Sequence, residues 1–476
     1  MTLKERINNN KPTRWVRFGA VALLYTLWCV WMQNFWLLLG LVLLFDIYIT
    51  GYIPFTWWKK SQNKSVRTVM SWVDAIVYAL VIVYFVFGFL GQNYQIPSSS
   101  LEKTLLTGDY LFVNKTVYGP RVPMTPVNFP LVHNELPFGL GKSYLESPTL
   151  KYRRLKGMRN VESGDIVVFN FPAGDTVMSK VTNPDYYTLV RSFGRDAVLG
   201  NPQIYGEQVY RPVDRRENYV KRCVGLPGER ISIRNGVIYI DGVAQKQPEN
   251  VQFNYIVQSR KFPLGEEMWD KLGVAREDVH YDPSVSNYPD AARDNGLYVT
   301  ADNTVPPVYV VPLTDAMAQE LKSRGDIVLV ERLPQLPDGG LFPEHLSAFW
   351  TVDEYGGDTG LLIPKKGMTL AITDDNWPVY ERAIRIYEDN PTAKMADGTL
   401  YIEGKPVKEY TFKMDYYFMM GDNRHNSLDS RFWGFVPEDH VIGTPWRVLI
   451  SFDKDRSGFG SVRWNRIFKD ANPDKE

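Results

Sequence analysis

Two cysteines in 476 residues exclude a disulfide framework. Cys29 sits inside an apolar run suited to lipid and Cys223 in the polar body, so no bridge between them is expected. Histidine is nearly as scarce. Five occur (His133, His280, His345, His425, His440), none at the spacing of paired metal ligands, so neither a zinc site nor any other cofactor is expected. The strings around them lack a partner to orient a ring, which weakens the case for histidine as a catalytic base. A surplus of either charge is missing too: 54 Lys and Arg balance 54 Asp and Glu, leaving no overall field to attract nucleic acid. What remains, 44% apolar and 23% charged residues, suits a globular body joined to membrane segments.

The membrane segments are expected at the N-terminus. Apolar runs at 16–32, 35–53 and 72–90 each approach the roughly 20 residues a helix needs to cross hydrocarbon. The first two, separated by Gln33 and Asn34, are expected to form a tight hairpin. A cleavable leader is disfavoured because no small-residue cleavage site follows and two further runs do. Lys4, Arg6, Lys11, Arg14 and Arg17 mark the tail (1–15) and its junction as cytoplasmic, and Lys59, Lys60, Lys64 and Arg67 mark the loop 55–71 likewise. Three crossings (two in 16–54, the third in 72–91) then place everything after Gly91 beyond the cytoplasmic membrane. Asp46, costly in lipid, is expected near the interface or against a neighbouring helix.

Downstream, short β-branched or alternating runs such as "DIVVFNFP" and "VIYIDG" predict a largely antiparallel β body, split into 92–244 and 396–455. In "ISIRNGVIYI", Asn235 and Gly236 supply the two φ > 0 positions of a tight hairpin. "GVIYIDGV" from Gly236 is echoed by "GTLYIEGK" from Gly398, as if two similar hairpins bracket an insertion. That insertion, 245–395, mixes strands with short amphipathic helices. One helix is capped by Thr314 and stopped at Gly325, and another carries Trp377, Tyr380, Ile384 and Tyr387 on one packing stripe. The stretch 120–156 reads as a long structured loop, and 456–476 as a polar, loosely ordered tail.

The chemistry centres on "IPSSSLEKTL" (96–105). A serine is a weak nucleophile until a base takes its proton. With histidine scarce, lysine is the alternative, provided a dry site lowers its pKa from about 10.4. "NYVKRCVGLPGE" holds Lys221 on a β-patterned run among Val220, Cys223, Val224 and Leu226, and alternation sends Lys221 and Arg222 to opposite faces.

These two strings, with "GDYLFVNKTVYG", "SGDIVVFNFP" and "GDNRHNSLDSRFWGFVP" in order, resemble the sequence boxes of type I signal peptidases, membrane-anchored Ser/Lys endopeptidases. The three spans and large insertion look like the variant of Bacteroidetes-type, Gram-negative members. The resemblance implies a membrane-anchored, mainly β fold: N-terminal transmembrane helices, then an antiparallel catalytic sheet with an inserted α+β segment. By the same resemblance the protein is expected to lie in the inner membrane with the catalytic domain on the periplasmic side, and to cleave signal peptides of exported preproteins after small residues, as in Ala-X-Ala. Its implied partners are preprotein signal peptides and the lipid bilayer; for the insertion three roles stay open, restricting substrates, contacting secretion machinery and bracing the core.

By motif position, the resemblance implies Ser100 as nucleophile, Lys221 as general base, and the Ser98 hydroxyl with the Ser100 backbone N–H as oxyanion donors. Ser427 is expected to hydrogen-bond Lys221. Asp429 and Arg431 are expected to form ion pairs with Asp422 and Arg424, Arg222 to be structural, and Gly421 to allow close backbone approach. Leu101 and Lys103 depart from the family's usual Met and Pro; Lys103 is expected to point into solvent. Two other readings are open: a self-cleaving repressor-type Ser/Lys protease and a non-catalytic membrane-anchored β-scaffold.

Overall fold

The computed structural model describes residues 7, 10–32, 35–129, 131–260, 263–337 and 339–473. Its centre is a seven-stranded, wholly antiparallel sheet built from both halves of the β body. The strands are β1 (Gly91–Gln95), β2 (Asp109–Asn114), β3 (Ile166–Asn170), β4 (Asn218–Gly225), β5 (Tyr416–Met420), β6 (Val436–Pro437) and β7 (Val441–Ser451), in spatial order β1-β2-β7-β3-β4-β5-β6. Both faces are covered. Along β3, Ile166 and Val168 pack with Leu101, Leu111 and Val448 on one side, while Val167 and Phe169 pack with Cys223, Met419 and Val436 on the other. That is why "IVVF" reads as an unbroken apolar run rather than an alternating one. Register shifts at Tyr110/Leu111, Phe112/Val113 and Phe418/Met419 bend the strands locally.

The hairpin at Asn235–Gly236 forms as local chemistry requires: φ is 48° and 72° at the two turn positions, joining Arg230–Arg234 to Val237–Ile240. Its echo has the same shape. Asp397–Gly398 (φ 49° and 71°) and Glu403–Gly404 (φ 51° and 75°) flank Thr399–Ile402 in a three-stranded sheet, as Asn235–Gly236 and Asp241–Gly242 flank Val237–Ile240. Between them, the insertion carries its own four-stranded sheet, in which Phe253–Ser259 lies between Val308–Leu313 and Ile327–Arg332. Thr314 caps Asp315–Lys322 by accepting from Met317 N, and the helix ends before Gly325. Tyr380 and Ile384 are buried, with Trp377 and Tyr387 packed against the same core.

Among the described residues, one helix, Lys64–Leu90, is long and apolar enough to cross a membrane; Phe35–Thr50 is a shorter apolar helix, and Pro12–Trp31 precedes it. Asp46 is buried and accepts from Tyr52 N (2.7 Å), Ile53 N (3.0 Å) and the Thr50 hydroxyl, capping the chain where it leaves the helix. The described residues of 120–156 form an ordered loop tied by isolated bridges such as Arg121↔Arg154 and Asn128↔Tyr144. Of the stretch 456–476, expected to trail loosely, residues 474–476 lie outside the described residues, while Arg466 and Ala471 dock instead. Arg466 is buried with its Nε 2.9 Å from Asp109 Oδ1, and Ala471 packs in the core, because Asp109 at the start of β2 is otherwise a buried charge.

Candidate active site

β1 runs at the edge of the sheet and leads through Ile96 and Pro97 to an extended Ser98 and the short turn Ser99–Leu101. Leu101 and Leu105 are sunk in the core behind this turn, so the turn cannot drift without exposing both. The carbonyl of Ser100 accepts from Asn423 N (3.1 Å). Gly421 passes so close that an added Cβ would collide with Ser427 Oγ and lie 2.5 Å from that same carbonyl oxygen, a position only glycine fits.

Lys221 reaches this turn from β4. Its Nζ lies 2.6 Å from Ser100 Oγ, with Ser100 6% and Lys221 3% exposed. Burial lowers the ammonium pKa to about 8; Asp429 opposes that shift, while Arg431 reinforces it. A buried amine touching a serine hydroxyl is thus held near the point where it sheds its charge, the arrangement required for lysine to act as base.

The final box supplies two buried ion pairs, but not those expected. Asp429 pairs with Arg431 itself (Nε–Oδ1 2.9 Å, Nη2–Oδ2 2.8 Å), both fully buried. Asp422 pairs with Arg222 (2.8 and 2.7 Å). Bidentate geometry explains the choice, since each guanidinium fork meets both oxygens of one carboxylate. Burial raises the carboxyl pKa values, yet the paired guanidinium holds Asp422 and Asp429 each below the ordinary value. Arg424 stands apart, donating to Gly236 O (3.4 Å), and burial lowers its pKa to about 10. Ser427 is buried and packs on Gly421. Its hydroxyl has no hydrogen-bond partner among the described residues, so the expected bond to Lys221 is not made. Two histidines do have orienting acids, His440 with Asp439 (2.6 Å) and His425 with Asp353 (3.1 Å); among the described residues neither ring is hydrogen-bonded to Ser100.

A cleft of about 490 Å³ opens beside Ser100 and Lys221, lined by Tyr94–Ser98 and Ser100 on one side and Glu217–Lys221 on the other. Both walls are strand edges. β1 ends the sheet, and residues 218–221 of β4 pair with β3 whereas β5 reaches only 222–225.

A family model described as signal peptidase, peptidase S26, matches residues 69–303 and 375–449, more than half of the chain. The chain belongs to this family. It is accordingly a hydrolase, a serine endopeptidase that cleaves signal peptides. Similar curated proteins are signal peptidase I of Buchnera aphidicola subsp. Schizaphis graminum, 23% identical over 81% of this chain and 77% of the relative, and that of Haemophilus influenzae, 22% identical over 86% and 78%. Signal peptidase I of Helicobacter pylori strain 26695 is 21% identical over 84% and 90%.

Within this S26 peptidase, several site residues escaped the sequence reading. Asn423 holds the Ser99–Leu101 turn through its backbone and, by Nδ2, through Ser99 O (3.3 Å). Thr104 donates to Asp422 Oδ2 (2.8 Å). Both lie inside boxes already singled out, which is the signal that points to them. Lys103, expected in solvent, instead donates to Leu272 O and Gly273 O (2.8 and 2.6 Å), and Asp278 accepts from Ser99 Oγ (3.2 Å). No local pattern marks Asp278.

Proposed function

We propose that this chain is a membrane-anchored signal peptidase I that cuts exported preproteins after small residues, with Ser100 as nucleophile and Lys221 as general base. The 2.6 Å contact between the buried amine and hydroxyl carries the reading. Neutral Nζ takes the Ser100 proton as Oγ attacks the scissile carbonyl. The oxyanion is received by the Ser100 backbone N–H and the Ser98 hydroxyl, which lines the same cleft. The amine leaves with the proton from Lys221, and water, deprotonated in turn by Lys221, releases the acyl group. The preprotein lies as an extended strand between the two open edges of the cleft. The ion pairs Asp429–Arg431 and Asp422–Arg222 brace the floor.

Lys64–Leu90, about 40 Å at 1.5 Å per residue, spans the bilayer and emerges at β1. Pro12–Trp31 and Phe35–Thr50, tied by Tyr25 OH donating to Leu37 O (2.6 Å), are read as the two arms of a hairpin whose turn, Gln33 and Asn34, lies outside the described residues, giving three crossings in the inner membrane. The basic residues before Phe18 and between Lys59 and Arg67 keep those ends cytoplasmic and set the cleft on the periplasmic side. The catalytic domain comprises 92–244 and 396–455, interrupted by 245–395.

Detergent-solubilised full-length protein incubated with a preprotein carrying one Ala-X-Ala site is expected to release a product whose first residue follows the second Ala. An intact preprotein would favour the scaffold reading. The pH profile tests the base separately. Because burial sets Lys221 near 8 and only the neutral amine accepts a proton, kcat/KM is expected to rise about tenfold per pH unit below 8 and level above it. A plateau already reached at pH 6 would remove Lys221 from that role.

A further inference from the structure

We infer that the inserted segment is part of the catalytic apparatus: its Asp278 and the Lys103 that it captures are positioning residues for the nucleophile turn. The inference rests on the reading of Ser100 as nucleophile. Lys103, three residues after Ser100, adopts φ 71°, a left-handed conformation unfavourable for a residue with a side chain. Its compensation lies in the insertion. The helix Glu266–Leu272 ends in a left-handed Gly273, where carbonyl groups lack intrahelical donors and a cation is favoured. The Lys103 ammonium fills that place through Leu272 O and Gly273 O. A Cβ on Gly273 would lie 3.0 Å from Nζ, so the cradle is fitted to the cation.

On the other flank of Ser100, the preceding Ser99 is held by Asp278, a buried carboxylate on the turn Arg276–Asp278. Segment 272–278 therefore grips the chain on both sides of the nucleophile. The insertion also holds the final box: Gln252 N donates to Asp422 O and Arg424 N to Gln252 O, each at 2.9 Å. A reacting oxygen must be placed within a fraction of an ångström, and a 1 Å error costs on the order of a hundredfold in rate. These tethers fix Ser100 Oγ against Lys221 Nζ.

In the full-length protein, Lys103→Met is expected to lower kcat about 10- to 100-fold with KM changed less than about twofold. Lys103→Arg, which keeps a cationic donor, should recover most of it. Ser99→Ala and Asp278→Ala should each lower kcat several-fold, and the double variant no further than the stronger single one, as for groups acting through one bond. Hydrogen exchange at amides 98–106 reads the tethers independently of turnover and should quicken in Lys103→Met and Asp278→Ala. Parental kcat and parental exchange in these variants would overturn the inference, as would additive losses for Ser99 and Asp278. If Lys103→Met does not fold, the Ser99/Asp278 cycle decides. Cleavage by Ser100→Ala would sink the nucleophile assignment instead, and the exchange data would still report whether the insertion holds the turn.

Discussion

Lys221→Met is expected to leave a folded protein with kcat/KM on preprotein reduced about 10⁴-fold or more, the scale seen when one member of a nucleophile–base unit is removed. Methionine is one heavy atom shorter than lysine and needs no hydration, so it can occupy the buried place of Lys221 opposite Val167 on the neighbouring strand. Burial that lowers the amine toward 8 is a cost the folded state no longer bears once the amine is gone. The thermal midpoint should therefore hold or rise while turnover vanishes. Ser100→Ala is expected to fall as far, and the double variant no further, because each group is useless without the other. Activity within tenfold of the parent in either single variant would reject the dyad.

The second large effect is on stability. Asp429→Ala removes the carboxylate from a pair in which both side chains are 0% exposed. The Arg431 guanidinium, also held by Val352 O and Arg424 O, stays buried without a counter-charge, and Gly421 N loses its acceptor. Breaking such a pair from one side costs about 3–5 kcal/mol, a large part of the roughly 5–15 kcal/mol that holds a domain together. Arg276→Ala breaks an exposed pair with Glu266, side chains 48% and 71% exposed, and is expected to cost under about 1 kcal/mol. Denaturation of the two variants side by side checks the contrast; equal losses would mean that Asp429–Arg431 is not a buried keystone. The isosteric Asp429→Asn carries a further consequence. Asp429 opposes the lowering of the Lys221 pKa, so in whatever fraction folds, the midpoint of the rate profile should move below 8.

Much of this was legible in the linear chain. The hairpin at Asn235–Gly236, the Thr314 cap and the apolar β3 run depend on interactions within a few residues, and turn chemistry and periodicity report those directly. The membrane-length run 72–90 is legible for the same reason, although the helix built there begins at Lys64. Ser100 and Lys221 were singled out through boxes with a known order, and through the need for a base in a chain poor in histidine.

The partners within the site were not legible. Asp422 lies two residues before Arg424 and seven before Asp429, yet its cation is Arg222, 200 positions away. Lys103 is expected in solvent from the sequence, yet its acceptors are backbone carbonyls 169 and 170 residues on. Carbonyl groups carry no sequence signature, and only folding brings a helix end to a given place. Ser427, similarly, is set by the room beside Gly421 rather than by its motif.

By itself the sequence determined where the long apolar runs and the tight turns fall, and that a serine and a lysine of suitable chemistry stand in the two boxes, since each of these follows from composition and spacing over short distances. The tertiary structure alone decided which guanidinium neutralises which carboxylate, that Arg466 meets Asp109, and that the insertion bonds to Ser99 and Lys103 on either side of Ser100. Those outcomes depend on which buried charges and unpaired carbonyls meet when distant segments pack, and the energy of meeting appears nowhere in the local order of residues.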